Sequence, residues 1–188
     1  GLLSGRQLLC RVMAPQPTKQ TRSRNPKERI DNMRITEYRA RINKENNLNE
    51  LVKEKAVNYQ ADSKQLNSPD AIAEMMKSVF YMNERAEEYV YMLALDTRCK
   101  PIGVFEISHG TVNMSMINPR EVFVRALLVG AVSIVLIHNH PSGDTTASRE
   151  DINATKRLSE CGKLLGVTLL DHIVIGHDYT SLKANGYL

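Results

Sequence analysis

No run of about 18 or more apolar residues occurs in this chain, so nothing in it reads as a membrane-spanning helix. The longest apolar stretch, around 126–137, is broken by Gly130 and Ser133. Cysteine is scarce. Cys10, Cys99 and Cys161 are far apart, odd in number and in no CxxC pair, which argues against a disulfide framework and against a cysteine zinc site. Reduced thiols in a cytoplasmic protein are the reading that follows. Acidic residues are missing from the start of the chain, where none precedes Glu28.

What is present suits one globular domain with extra chain: 188 residues, of which 42% are hydrophobic. The net charge of +4 is unevenly spread. Residues 1–60 hold 13 Lys+Arg and 6 Asp+Glu, or +7, and residues 61–188 hold 12 and 15, or −3. The basic third could serve as a nucleic-acid-binding arm or simply be a solvated tail.

Residues 1–32 show no apolar period and are rich in Arg, Pro, Gln, Ser and Thr, a disordered composition. The Arg-bearing stretch Gly1–Pro17 has the look of an organellar transit peptide but lacks a signal core and cleavage site. Met33 as the natural start, with added sequence before it, is the preferred reading. Residues 33–67 form a polar segment with a candidate edge strand at Leu51–Tyr59. From 68 onward the signals are strong. Ser68-Pro69 opens a helix expected to end near Ala86. Strands are expected at Tyr89–Leu95 and Ile102–Ile107, joined as a hairpin. A helix from Pro119 to about Val129 precedes a buried strand, Val132–Ile137. A third helix, Ser148–Leu165, stops at Gly166, and strands Val167–Ile175 and Tyr179–Leu182 close the chain. The order β-α-β-β-α-β-α-β-β predicts an α/β fold with helices on a mixed, curved sheet.

Chemistry concentrates in His138-Asn-His-Pro-Ser-Gly143, followed by Ser148-Arg-Glu-Asp151. Histidines at i and i+2 leaving a strand point the same way. Pro141 and Gly143 turn the chain. Asp151 falls in the first turn of the next helix, able to face back. Two imidazoles and a carboxylate leave a fourth tetrahedral position for water, as in catalytic zinc sites. Ser148 and Asp151 also have nearly the spacing of a capping box, which needs no metal. Spacing alone leaves both readings open.

His138-x-His140-Pro141 with Ser148-x-x-Asp151 resembles the JAMM signature of the MPN/JAB superfamily. More closely, the chain is similar to the RadC family, through Pro119-Arg-Glu-Val-Phe123, His138–Gly143, Ser148–Asp151, Leu170-Asp-His-Ile-Val-Ile-Gly176 and Ser181. The resemblance covers residues 68–188. It implies a cytidine-deaminase-like (JAB/MPN) three-layer fold holding one zinc ion per chain on His138, His140 and Asp151. It further implies hydrolysis of a peptide, isopeptide or other amide bond, in a protein or peptide-like substrate. The family's upstream glutamate, a general base, aligns with Glu88, with Glu87 as the fallback. Ser148 would hydrogen-bond the oxyanion. Glu106 is a rival base, and His109 a residue expected to line the site. Asp171 and His172 match late family positions: Asp171 would orient a zinc histidine or belong to a structural pair. His177 is expected to be exposed and inert. Substrate contacts are expected from the loops 109–116 and 142–147.

The RadC name carries a DNA-repair label, so nucleic-acid or protein binding without hydrolysis is the alternative. The helix-hairpin-helix region of the longer RadC form is not recognisable here. A nucleobase deaminase would need H-x-E and P-C-x-x-C, and neither occurs. A silent MPN scaffold would typically lack the ligands, which are all present. Oligomeric state has no signature in the sequence.

Overall fold

The computed structural model describes residues 31–61, 66–110 and 117–188. The disordered reading of residues 1–30 falls outside them, as does the 111–116 part of the stretch expected to contact substrate. Seven strands form one mixed sheet: β1 (Asp31–Ile42), β2 (Asn49–Ala61), β3 (Glu88–Leu95), β4 (Pro101–Gly110), β5 (Ser133–Asn139), β6 (Thr168–Ile175) and β7 (Tyr179–Ser181). Their spatial order is β2-β1-β4-β3-β5-β6-β7. Three helices flank the sheet: α1 (Pro69–Phe80), α2 (Pro119–Leu128) and α3 (Arg149–Leu165). This is the three-layer α/β architecture expected. No helix among the described residues is long and apolar enough to cross a membrane.

Alternation along the central strands builds two cores. Tyr91, Leu93, Leu95, Val135 and Ile137 face α1, whose Ile72, Met75, Met76 and Val79 repeat at helical spacing. Val90, Met92, Ala94, Ile134 and Leu136 face the other way, onto α2 and α3. β3 and β5 are buried on both faces, which is why they read as continuous apolar runs.

Three expectations are corrected. The segment 33–67 holds two strands rather than one, and the first begins at Asp31, inside the stretch read as disordered. β1 pairs antiparallel with β2 and parallel with β4, burying Met33 and Ile35, while Tyr38 stacks on Phe105 at 5.7 Å. Second, α1 stops at Phe80 and not near Ala86. Tyr81 takes a left-handed conformation (φ 54°) and its N–H caps Lys77, after which Met82–Glu84 form a single 3-10 turn. A left-handed cap is usually Gly or Asn, so Tyr81 gave no stop signal. Third, Cys99 in the β3–β4 turn is disulfide-bonded, so reduced thiols throughout do not hold, whereas Cys161 is a free thiol. Spacing in sequence does not report which sulfurs meet in space.

Candidate metal centre

The site lies on the α3 side of the sheet, where β5 ends. Ile134, Leu136 and His138 alternate onto this face, and His138 is fully buried. His140 follows the strand and donates its N–H to the Ile175 carbonyl at 2.8 Å, extending the β5–β6 pairing by one step. The chain then turns: Gly143 N–H donates to the His140 carbonyl at 3.0 Å. Gly143 has φ 81°, and a Cβ there would run into the His177 ring. A Cβ on Gly176 would strike the Gly143 carbonyl. The loop that carries His140 is thus pressed onto the β6–β7 turn, and only glycines fit the contact.

α3 returns the third group. Its buried stripe is Asp151, Ala154, Thr155, Leu158 and Gly162, so an acid occupies the first core-facing position. Ser148 and Asp151 do form a capping box. Ser148 N–H and its hydroxyl both donate to Asp151 Oδ2 at 2.7 Å, and Asp151 N–H donates back to Ser148 Oγ at 3.1 Å. That box satisfies Oδ2 and leaves Asp151 Oδ1 buried with no hydrogen-bond partner.

The three side chains converge. His138 Nε2 lies 3.0 Å from His140 Nε2 and 3.4 Å from Asp151 Oδ1, and His140 Nε2 lies 3.8 Å from Asp151 Oδ2. One donor atom from each lies within 4.8 Å of the others. His140 Nδ1 donates to the Asp144 carbonyl at 2.8 Å, so its Nε2 is free to face inward. Burial pushes His138 down to about 4, with Asp151 acting against the shift and His140 adding to it. The ring is therefore a neutral imidazole at neutral pH, the form that ligates a metal.

Whether the residues fit a cation is tested by the orphaned oxygen. A single proton would reconcile the two facing Nε2 atoms. It would leave Asp151 Oδ1 buried and unpaired, which costs about 1–3 kcal/mol. One cation satisfies both nitrogens and the oxygen. Nitrogen–nitrogen–oxygen is a donor set that zinc accepts. The residues fit a metal ion.

A family model described as the RadC-like JAB domain matches residues 66–187. The chain belongs to this family. Similar proteins include UPF0758 proteins from three bacteria. That of Clostridium acetobutylicum is 42% identical over 142 residues, 75% of this chain and 61% of the relative. That of Clostridium novyi is 45% identical over 125 residues, 65% of this chain and 54% of the relative. That of Geobacillus sp. is 47% identical over 104 residues, 55% of this chain and 46% of the relative. The chain thus spans about half the length of the curated relatives it matches. Their shared name states no activity.

In this RadC-like JAB domain, Glu88 opens β3 two residues before Val90, which pairs with His138. Alternation puts Glu88 on the same face as His138. Partial burial raises its carboxyl, His140 lowers it and Asp151 raises it, so its charge is felt at the centre. Glu87 is exposed. Glu106 is not brought to the site. It sits on the α1 face, where its carboxylate accepts the Tyr91 hydroxyl at 3.4 Å and lies 2.8 Å from His109 Nδ1. His109 likewise does not line the centre: it stacks on Tyr89 at 5.3 Å on that opposite face. A bulge between Val90 and Tyr91 shifts the β3–β4 register, which no sequence pattern announced. Asp171 does not orient a metal histidine. It accepts from Ser181 Oγ at 2.5 Å and from the His172 and Lys183 N–H groups, tying down the end of the chain. His177 is exposed, as expected, with its ring over Gly143.

Two further residues touch the site: Asn139, which sequence reasoning passed over, and His172, which it held only as a late family position. Asn139, fully buried between the two histidines, donates from Nδ2 to the Glu87 carbonyl at 3.0 Å and accepts the Tyr89 N–H at 2.8 Å. His172 Nε2 lies 2.8 Å from His138 Nδ1. The signal for Asn139 was available: a buried strand position held by an amide needs partners.

Proposed function

We propose that this domain is a zinc-dependent hydrolase of the JAMM type, cleaving a peptide, isopeptide or other amide bond in a protein or peptide-like substrate. The observation that carries the reading is the unpaired Asp151 Oδ1, buried beside two imidazole nitrogens. His138 and His140 through Nε2, and Asp151 through Oδ1, would hold the ion. When bound, zinc supplies the Lewis acidity that makes water nucleophilic near neutral pH.

The protein's own residues do the rest. Glu88 serves as general base: its carboxylate takes a proton from the attacking water and returns it to the departing amine nitrogen. A carboxyl raised by burial is better matched to that exchange near neutral pH than a solvated one. Asn139 fixes the backbone on both sides of Glu88, so the base is held at the strand end and not on a free loop. Ser148 holds Asp151 in place. To stabilise an oxyanion, as the resemblance suggested, its hydroxyl would turn from Asp151 Oδ2 toward the substrate.

The test is elemental mass spectrometry on the purified full chain, wild type beside a His138→Ala/His140→Ala double variant. One zinc per chain, lost in the variant, is expected. Iron in its place would overturn the zinc assignment, because two histidines and a carboxylate also serve iron. No metal after zinc is offered would overturn the hydrolase. A zinc-loaded protein is then assayed on peptide- and isopeptide-linked substrates, with loss on chelation and return with zinc.

A further inference from the structure

His172 is a fully buried histidine with no place in the ligand set. It lies on β6 between His138 of β5 and Thr155 of α3. Four groups make a continuous line inward from the helix backbone. Thr155 Oγ1 is 2.6 Å from the Asp151 carbonyl oxygen. The same Oγ1 is 2.6 Å from His172 Nδ1, and His172 Nε2 is 2.8 Å from His138 Nδ1.

The direction of the protons follows from donor and acceptor chemistry. Two oxygens 2.6 Å apart need a hydrogen between them, and a carbonyl has none to give. The Thr155 hydroxyl therefore donates to the Asp151 carbonyl. Its single hydrogen is then used, so the contact with His172 Nδ1 needs the ring's own hydrogen, and His172 carries its proton on Nδ1. The ring is fully buried and its two nitrogens face a hydroxyl and another imidazole, with no carboxylate against either, so it carries no charge and its Nε2 is a bare acceptor. His138 must then donate from Nδ1, and its Nε2 presents a lone pair toward His140 and Asp151.

We infer that His172 and Thr155 are positioning residues that fix His138 as the Nδ1–H tautomer and aim its Nε2 lone pair at the metal position. The line starts at the backbone carbonyl of Asp151, itself a candidate ligand. It therefore also ties the helix turn that presents the carboxylate to the strand that presents the imidazole. A histidine ligand orients through its second nitrogen, and loss of such a partner typically costs about 10–100-fold in metal affinity. The affinity part of the inference rests on the zinc reading above; the tautomer part does not.

The experiment uses the full chain in two measurements. Nitrogen-15 imidazole correlation spectra of the metal-free protein at mildly alkaline pH report which ring nitrogen of His138 carries hydrogen. Zinc affinity is read by competition with a chromophoric chelator, for wild type, Thr155→Val and Thr155→Ser. Valine keeps the shape and removes the hydroxyl, while serine keeps the hydroxyl. The expected result is Nδ1–H on His138 in the wild type, a tautomer mixture and zinc binding weakened about 10–100-fold in Thr155→Val, and recovery of both in Thr155→Ser. Wild-type His138 protonated on Nε2 overturns the inference, and needs no variant to fold. So does Thr155→Val binding zinc as tightly as wild type, in which case the zinc reading survives. A wild type that shows Nδ1–H but binds no zinc supports the tautomer assignment and overturns the hydrolase instead.

Discussion

Asn139 grips the backbone on both sides of Glu88: its Nδ2 donates to the Glu87 carbonyl at 3.0 Å and its Oδ1 accepts the Tyr89 N–H at 2.8 Å. The residue between the two candidate metal histidines therefore also sets where the candidate base stands. Asn139→Ala removes two part-buried hydrogen bonds to the Glu87 carbonyl and the Tyr89 N–H, a loss of about 1 kcal/mol for each. The expected outcome is a lower urea midpoint with zinc content retained, and hydrolysis reduced more than metal affinity. Unchanged turnover in a folded, zinc-loaded Asn139→Ala would detach Asn139 from the base.

Glu88→Gln keeps the shape of the side chain and removes its proton affinity. Zinc stoichiometry should stay at the wild-type value while amide hydrolysis falls by about 100-fold or more, the usual contribution of a general base. Glu87→Gln should behave as wild type, since Glu87 is exposed and offers only its carbonyl to Asn139. The reverse pattern, loss with Glu87→Gln and not with Glu88→Gln, would move the base by one residue.

Ser148 has one duty that is observed and one that is proposed, and the two are separable. As the helix cap and partner of Asp151 Oδ2, its loss in Ser148→Ala should cost about 1 kcal/mol of stability and loosen the carboxylate. As an oxyanion donor, its loss should depress kcat with little change in KM or zinc affinity. Chelator competition beside steady-state kinetics separates them: weaker zinc binding alone marks a cap, and a fall in kcat alone marks a donor.

The metal-free protein should lose stability in acid. Burial pushes His138 down to about 4 in the folded chain and lowers His172 as well, whereas an unfolded histidine sits near ~6.5. Between those values the unfolded chain binds more protons. This contribution is fully present above about pH 6.5 and is lost as pH falls toward about 4, at ~1.4 kcal/mol for each unit of difference. Urea midpoints of chelator-treated protein across that window should fall with pH on this account. A flat profile would mean that the rings already carry their charge in the folded state.

Much of the centre was legible in the sequence because it is local. His138, His140, the Pro141–Gly143 turn and Asp151 fall within one strand, loop and helix start, and each step has a residue-type signature. What was not legible depends on partners far along the chain. The Asn139–Glu87 bond spans 52 positions and His138–His172 spans 34, so neither pairing leaves a periodic trace. Thr155 stands four residues after Asp151 on one helix face, yet only the arrival of β6 gives its hydroxyl a second partner. The first strand was missed for another reason. Among the described side chains of β1 only Met33 and Ile35 are buried, and Arg34, Glu37, Arg39 and Arg41 gave the segment the composition of a polar tail. Strict alternation would set Glu106 and His109 on opposite faces of β4, and only the bulge in the β3–β4 pairing puts both on the α1 face.

That first strand has a practical meaning for anyone shortening the chain. β1 lies along β4 and covers its outer edge, with Met33 and Ile35 in the α1-side core and Tyr38 across Phe105. The span that matches the family begins at residue 66, past the whole β1–β2 hairpin. Trimming to that span would strip the cover from β4 and bare a ten-residue strand whose backbone groups and apolar side chains invite pairing with any other chain. A fragment cut there should self-associate, visible as light scattering at concentrations where the full chain stays clear, because the hairpin acts as a built-in guard against sheet-to-sheet adhesion.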